Sequence, residues 1–121
     1  IDKREHCYVD MFQAEVEDLH ENYIRPQENG SHYHCRYVSL ENEKYRLLAE
    51  ADNYLDFNVS DYTVEELAGK RHNFELEPAS GSLLSLDARM MGIGSNSCGP
   101  QLLPQYQMND KEFEWEYQLK F

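Results

Sequence analysis

The strongest constraint on this chain is the run Glu112-Phe113-Glu114-Trp115-Glu116-Tyr117-Gln118-Leu119, in which every second residue is apolar. That period of two belongs to a half-buried strand and not to a helix. It sends Phe113, Trp115, Tyr117 and Leu119 to one sheet face, expected to be the core, and leaves the glutamates and Gln118 on the other. Leu55-Asp56-Phe57-Asn58-Val59 repeats the pattern, and Leu84, Leu86, Ala88 and Met90 alternate with Ser85, Asp87 and Arg89. Weaker strands are expected near Met11–Val16, Arg36–Glu43, Tyr45–Ala51 and Asn73–Glu77.

One short helix interrupts the strands. Asp61 or Thr63 can cap Val64-Glu65-Glu66-Leu67-Ala68, and its early glutamates suit the positive end of the helix dipole. Gly69 is expected to end the turn with a positive φ. Short strands divided by polar, Gly- and Pro-containing turns predict an all-β fold, an antiparallel β-sandwich with one short helix near Thr63–Ala68. The length of 121 residues suits a single domain spanning 1–121.

Charge narrows the partners. Acidic residues outnumber basic ones by 23 to 11, for a formal net charge of −12. Such a chain repels phosphate backbones and anionic lipid, so neither nucleic acid nor membrane is an expected partner. No apolar run reaches the ~18 residues a bilayer-spanning helix needs. The cytoplasm is the expected location. The cysteines Cys7, Cys35 and Cys98 are odd in number and scattered, which favours reduced thiols over a disulfide framework.

Several constellations invite chemistry and each meets a plainer explanation. Ser31-His32-Tyr33-His34-Cys35 puts two histidines on one face of an extended segment and Cys35 on the other, short of the three or four ligands zinc takes; His6 and Cys7 would have to complete the set. Gly92-Ile93-Gly94 lacks the third glycine of a dinucleotide fingerprint, and Pro100 and Pro104 break the helix that would have to succeed it. Cys98 has no base nearby in sequence. Glycoside hydrolysis by the retaining route needs two carboxyl groups ~5–5.5 Å apart, whereas the acids here fall on solvent faces or in loops such as Glu41-Asn42-Glu43. A carbohydrate-binding module would need an exposed ring from Tyr33, Tyr37, Tyr54 or Tyr106 lying in a groove.

Three stretches are more specific. Tyr23-Ile24-Arg25-Pro26-Gln27-Glu28-Asn29-Gly30 is similar to the "Y-I/V-x-P-Q-E-N-G" signature of the C-terminal domain of glycoside hydrolase family 2 β-galactosidases. Phe57-Asn58-Val59-Ser60-Asp61-Tyr62-Thr63-Val64-Glu65-Glu66-Leu67 resembles that domain's "F-s-a-l-p-Y-t-x-e-x-L" segment, with His72 at the family's spacing. Leu86-Asp87-Ala88-Arg89-Met90-Met91-Gly92-Ile93-Gly94 resembles its "l-D-x-x-q-M-G-v-G" strand and loop, and Gly99-Pro100 comes next in register. The opening Ile1-Asp2-Lys3-Arg4 is similar to a "Y-x-D-R" run upstream of the first signature.

This resemblance covers nearly the whole chain and implies the final part of an antiparallel super-sandwich related to galactose mutarotase folds. It implies a parent enzyme that hydrolyses terminal β-D-galactosides such as lactose by the retaining mechanism. In the family the catalytic glutamates and the magnesium and sodium ligands lie in a central (β/α)₈ barrel, so this chain is expected to be noncatalytic and to carry no cofactor. In many members a tryptophan two residues before the proline of the Gly92–Pro100 loop stacks on sugar; Cys98 stands at that position here. The resemblance therefore points to Asn96, Ser97 and Cys98 as polar substrate-binding residues, and to the remaining enzyme domains as partners. Subunit interaction in a homo-oligomer, through strand edges left unpaired, is the other expected role.

Overall fold

The computed structural model describes residues 10–22, 30–91 and 100–121. Strands β1 (His32–Glu41) and β2 (Arg46–Ser60) form an antiparallel hairpin. Asn42 closes it: its Oδ1 accepts the N–H groups of Lys44 at 2.9 Å and Tyr45 at 2.8 Å. An asparagine side chain does this readily because its carbonyl stands in for a backbone acceptor.

β2, 15 residues long, is the spine of the sheet. It unites the Tyr45–Ala51 and Leu55–Val59 runs, which pattern alone separates at Asp52-Asn53-Tyr54. The polar interval is a bulge, with residues 51–54 opposite Arg36 alone; Ala49 and Leu55 flank it and share one core, against which Ala51 packs. β1 runs along one edge of β2. Along the other edge, β3 (Leu83–Asp87) pairs with Asp56–Ser60 and β4 (Tyr117–Lys120) pairs with Leu48–Ala51. The expected all-β, antiparallel architecture with one short helix is thus what the chain adopts, here as a four-stranded layer of the kind a sandwich stacks.

Among the described residues the core is small. Val38, Ala49, Leu55 and Val59 are its buried apolar residues, and Cys35, Ala51, Phe57, Leu84, Leu86 and Trp115 pack around it. Val38 faces Ala49, and Val59 faces Leu84, so these contacts are cross-strand neighbours on one sheet face. Leu55, fully buried, contributes ~1.5–3 kcal/mol by leaving water.

Helix α1 (Val64–Gly69) is capped by Thr63, whose Oγ1 accepts the Glu66 N–H at 3.1 Å. Asp61 is used elsewhere: its carboxylate accepts the Ser82 hydroxyl at 2.9 Å, and its carbonyl accepts the Ala79 N–H at 2.7 Å. Gly69 is the last helical residue and does not take the expected positive φ; among the described glycines only Gly30 does, at 72°. Lys70 satisfies the helix end instead, its N–H donating to the Glu66 carbonyl at 3.2 Å.

Three other expectations change. Asn73–Glu77 is no strand but contains a 3₁₀ turn at Asn73–Glu75, because Glu75 Oε2 accepts the N–H groups of Arg71 and His72, each at 3.1 Å. Such local side-chain acceptors compete with a ladder. Met11–Val16 is likewise irregular and leads into a 3₁₀ turn at Val16–Leu19, with Met11 and Phe12 exposed. Finally, of the long alternating run only Tyr117–Lys120 is paired, and Phe113, Tyr117 and Leu119 are exposed while Trp115 alone reaches the core. Alternation fixes which side chains share a face; it does not supply the layer that buries them. Among the described residues no helix is long and apolar enough to cross a membrane.

Candidate functional site

Two features of β1 and β2 bring functional side chains together. The first is a bulge in β1. Between His32 and Cys35 the register shifts because Tyr33 and His34 stand opposite Asp56 alone, with His34 at φ 56°. Between Cys35 and Tyr37 it shifts again because residues 51–54 of β2 stand opposite Arg36 alone, a second bulge on the partner strand. A left-handed conformation is uncommon outside glycine and is held here by a buried acceptor. Asp56, 6% exposed, takes the His34 N–H on Oδ1 at 2.7 Å.

The bulge rearranges the expected metal-type cluster. His32 stacks on Phe57 with ring centroids 4.8 Å apart, while His34 stacks on Tyr54 at 5.0 Å. The two histidines thus stack on different rings of β2 instead of converging on one site. Cys35 faces Leu55 and packs on the core side, its thiol donating to the Tyr33 carbonyl at 3.6 Å. Burial pushes that thiol above its ordinary value of 9.0, and the Asp56 carboxylate pushes the same way. Neutral Cys35 is a weak nucleophile. Among the described residues no group of three or more histidines, cysteines or carboxylates is placed to hold a metal ion; His6 and Cys7 lie outside them.

The second feature is an open groove of about 680 Å³ where β4 meets β2 beside the end of the bulge. Tyr37, Trp115 and Tyr117 give it rings; Arg36, Asp52, Glu116 and Gln118 give it polar groups. Glu50, also in its wall, is ion-paired with Lys120. The Trp115 and Tyr117 rings lie 4.8 Å apart at 33°. Trp115 Nε1 is buried and has no hydrogen-bond partner among the described residues. A buried N–H without an acceptor costs ~1–3 kcal/mol.

The groove is suited to binding more than to bond cleavage. Asp52 and Glu116 are exposed, and Asp56, the one buried acid among the described residues, is occupied by a backbone N–H. A retaining hydrolase needs a carboxyl shielded enough to hold its proton beside a second, ionised one.

Of the residues expected to touch substrate, Asn96, Ser97 and Cys98 lie outside the described residues, as does the loop from Gly92 to Gly99. The residues leading into that loop are described. Arg89 bonds Asp110 at 2.8 Å, and the Met108 N–H approaches Met91 Sδ at 3.2 Å, tying residues 89–91 to 108–110. Tyr33, Tyr37, Tyr54 and Tyr106 are all exposed, but Tyr37 is the one that lines the groove. Sequence reasoning missed the groove because it assigned Trp115 and Tyr117 wholly to the core. The interruption at Asp52-Asn53, polar residues inside an otherwise apolar strand pattern, was the signal that marked it.

Comparison with known proteins gives a consistent answer. A family model described as the β-galactosidase small chain matches residues 1–120. The β-galactosidase of Actinobacillus pleuropneumoniae is 41% identical over 121 residues, which is all of this chain and 12% of that protein. The β-galactosidase of Staphylococcus xylosus is 38% identical over 114 residues, 94% of this chain and 12% of that protein. The β-galactosidase of Kluyveromyces lactis is 31% identical over 124 residues, 99% of this chain and 12% of that protein. The chain therefore spans about an eighth of the length of these relatives.

Proposed function

This chain belongs to the β-galactosidase small-chain family, and we propose that it is the noncatalytic C-terminal part of an enzyme that hydrolyses terminal β-D-galactosides, as a single domain completing a β-sandwich. The observation that carries this is coverage: the match runs over residues 1–120, yet the relatives are about eight times longer. The sparse core and the single sheet layer seen among the described residues agree with a part that finishes a larger structure. Its partners are the remaining domains of that enzyme, and the galactoside reaches it only at the loop from Ile93 to Pro100, where Asn96, Ser97 and Cys98 offer amide, hydroxyl and thiol groups to a sugar. No step of hydrolysis is assigned to its own carboxylates. In this reading magnesium and sodium belong to the rest of the enzyme.

The test is hydrolysis of a chromogenic β-galactoside. The purified chain is expected to give no turnover, and deleting it from the full enzyme is expected to abolish activity. Turnover by the chain that persists through purification away from full-length enzyme would sink the proposal. Noncatalytic sugar binding is favoured by one observation, the exposed Tyr37 ring beside Trp115 and Tyr117 in the groove. Saturable NMR shifts of Tyr37 on adding galactose would support it, and unchanged spectra would exclude it.

A further inference from the structure

We infer that the groove at the β2 bulge takes a neutral polyhydroxyl ligand, a sugar, which stacks on Tyr37 and hydrogen-bonds Arg36, Asp52 and Glu116. The assignment rests on the sugar-binding reading of this groove and adds the chemistry that selects the ligand.

Register sets the face. Val38 pairs with Ala49 and Ala49 with Leu119, and Val38 and Ala49 are buried in the core. Their chain neighbours make the next row, Tyr37 opposite Glu50 and Glu50 opposite Gln118. Successive side chains alternate, so this row lies on the face turned away from the core. The groove opens at the end of the row because β2 bulges there. Residues 51–54 stand opposite Arg36 alone, and residues 52–54 pair with neither β3 nor β4. A bulge re-aims side chains, and this one sets Asp52 in the same wall as Arg36 and Glu116.

Charge selects the ligand class. On this face Glu41 pairs with Arg46, and Glu50 with Lys120. By contrast, the exposed side chains of Arg36, Asp52, Glu116 and Gln118 make no hydrogen bond or ion pair among the described residues. Both signs therefore line one groove without neutralising each other. A simple cation is repelled by Arg36, and an anion by Asp52 and Glu116. A hydroxyl group suits both, since its hydrogen donates to a carboxylate while its oxygen accepts from the guanidinium. Such charge-assisted bonds are the stronger kind, and a ligand with several hydroxyls makes them at once. Tyr37, 46% exposed, offers a ring to the apolar C–H face of a sugar. The groove encloses about 680 Å³, within the roughly 300–1,000 Å³ of small-molecule sites.

The experiment is hydrogen exchange with mass-spectrometric readout on the full β-galactosidase polypeptide carrying this sequence. Galactose is the probe, chosen from the family reading, and glucose, spermidine and inorganic phosphate are run alongside. The readout is local, so sugar bound elsewhere in the polypeptide is not counted. With galactose at about ten times its dissociation constant, amides 52–54 are expected to exchange about tenfold more slowly. Tyr37→Ala and Arg36→Gln are each expected to remove that slowing, while unchanged exchange of amides 46–50 without sugar shows that the sheet is intact. Slowing by glucose as well supports a polyhydroxyl site. No slowing with galactose overturns the inference, and so does slowing that survives both substitutions. Equal slowing by spermidine or by phosphate also overturns it, since the groove then recognises charge. Amides 52–54 as protected without sugar as amides 46–50 would mean the groove is already filled, and the inference falls. Galactosidase activity of the same sample is read separately. Protection without activity supports the groove and counts against the enzyme assignment, while activity without protection does the reverse.

Discussion

His34 shows how one residue can hold a strand out of regular register. At φ 56° its Cβ is strained, and the compensation is the 2.7 Å bond from its N–H to the buried Asp56. His34→Gly is expected to raise stability by ~0.5–1 kcal/mol, measured by urea unfolding, because glycine occupies that region without steric cost. Asp56→Ala is expected to lower it by ~1.5–3 kcal/mol, the range for losing a hydrogen bond to a charged group. The opposite signs separate backbone strain from its compensation. Gly30 is different: at φ 72° a Cβ there would meet the Leu19 carbonyl oxygen at 2.9 Å, so Gly30→Ala is destabilising. Cys35 gives a pH signature. Its folded pKa lies above its unfolded value, so its contribution to stability is intact below 9.0 and is lost as pH rises beyond it. Slow alkylation of Cys35 at pH 8, accelerating only on unfolding, would confirm the direction; rapid alkylation of the folded chain would contradict it.

At the scale of elements, α1 is held by its ends. Thr63→Ala removes the acceptor for the Glu66 N–H and is expected to cost ~1 kcal/mol. Gly69→Ala is expected to gain ~0.5–1 kcal/mol, since Gly69 is helical and nothing lies within 4 Å of a Cβ placed there. Thermal melts of both variants check the pair. The turn at Asn73–Glu75 depends on an ionised carboxylate: the N–H groups of Arg71 and then His72 hold Glu75 below its ordinary 4.5. Its folded pKa is depressed, so the stabilisation is present above that value and fades as pH falls through it. Glu75→Gln should remove this acid-side dependence in an amide-exchange titration of residues 71–76. Helix and turn differ in how far the sequence exposed them. Thr63 followed by acidic residues is a local signal, and it located the helix. Asn73–Glu77 carries an apolar–polar rhythm like a strand, and only the reach of Glu75 back to its own backbone decided for a turn.

At the scale of the whole molecule, the sheet is a layer that, among the described residues, has little to lie against. Leu55→Ala should cost ~2–5 kcal/mol by opening a cavity in a core this small, an effect that urea unfolding of the chain would register. The sequence by itself determined the all-β class, the position of the short helix, the alternation within Leu55–Val59 and Leu84–Asp87, and the family, because these depend on local alternation, on capping residues and on contiguous motifs such as 23–30 and 86–94. Tertiary structure alone decided that two apolar runs form one strand through Asp52-Asn53, that β3 and β4 share one edge of it, and that a bulge parts His32 from His34. It also decided that Trp115 is half-buried against the core while Phe113 and Leu119 of the same run are exposed. The physical reason is common to all four. Side-chain periodicity records which residues want to leave water together, whereas strand partners, bulges and coverage depend on groups distant in sequence.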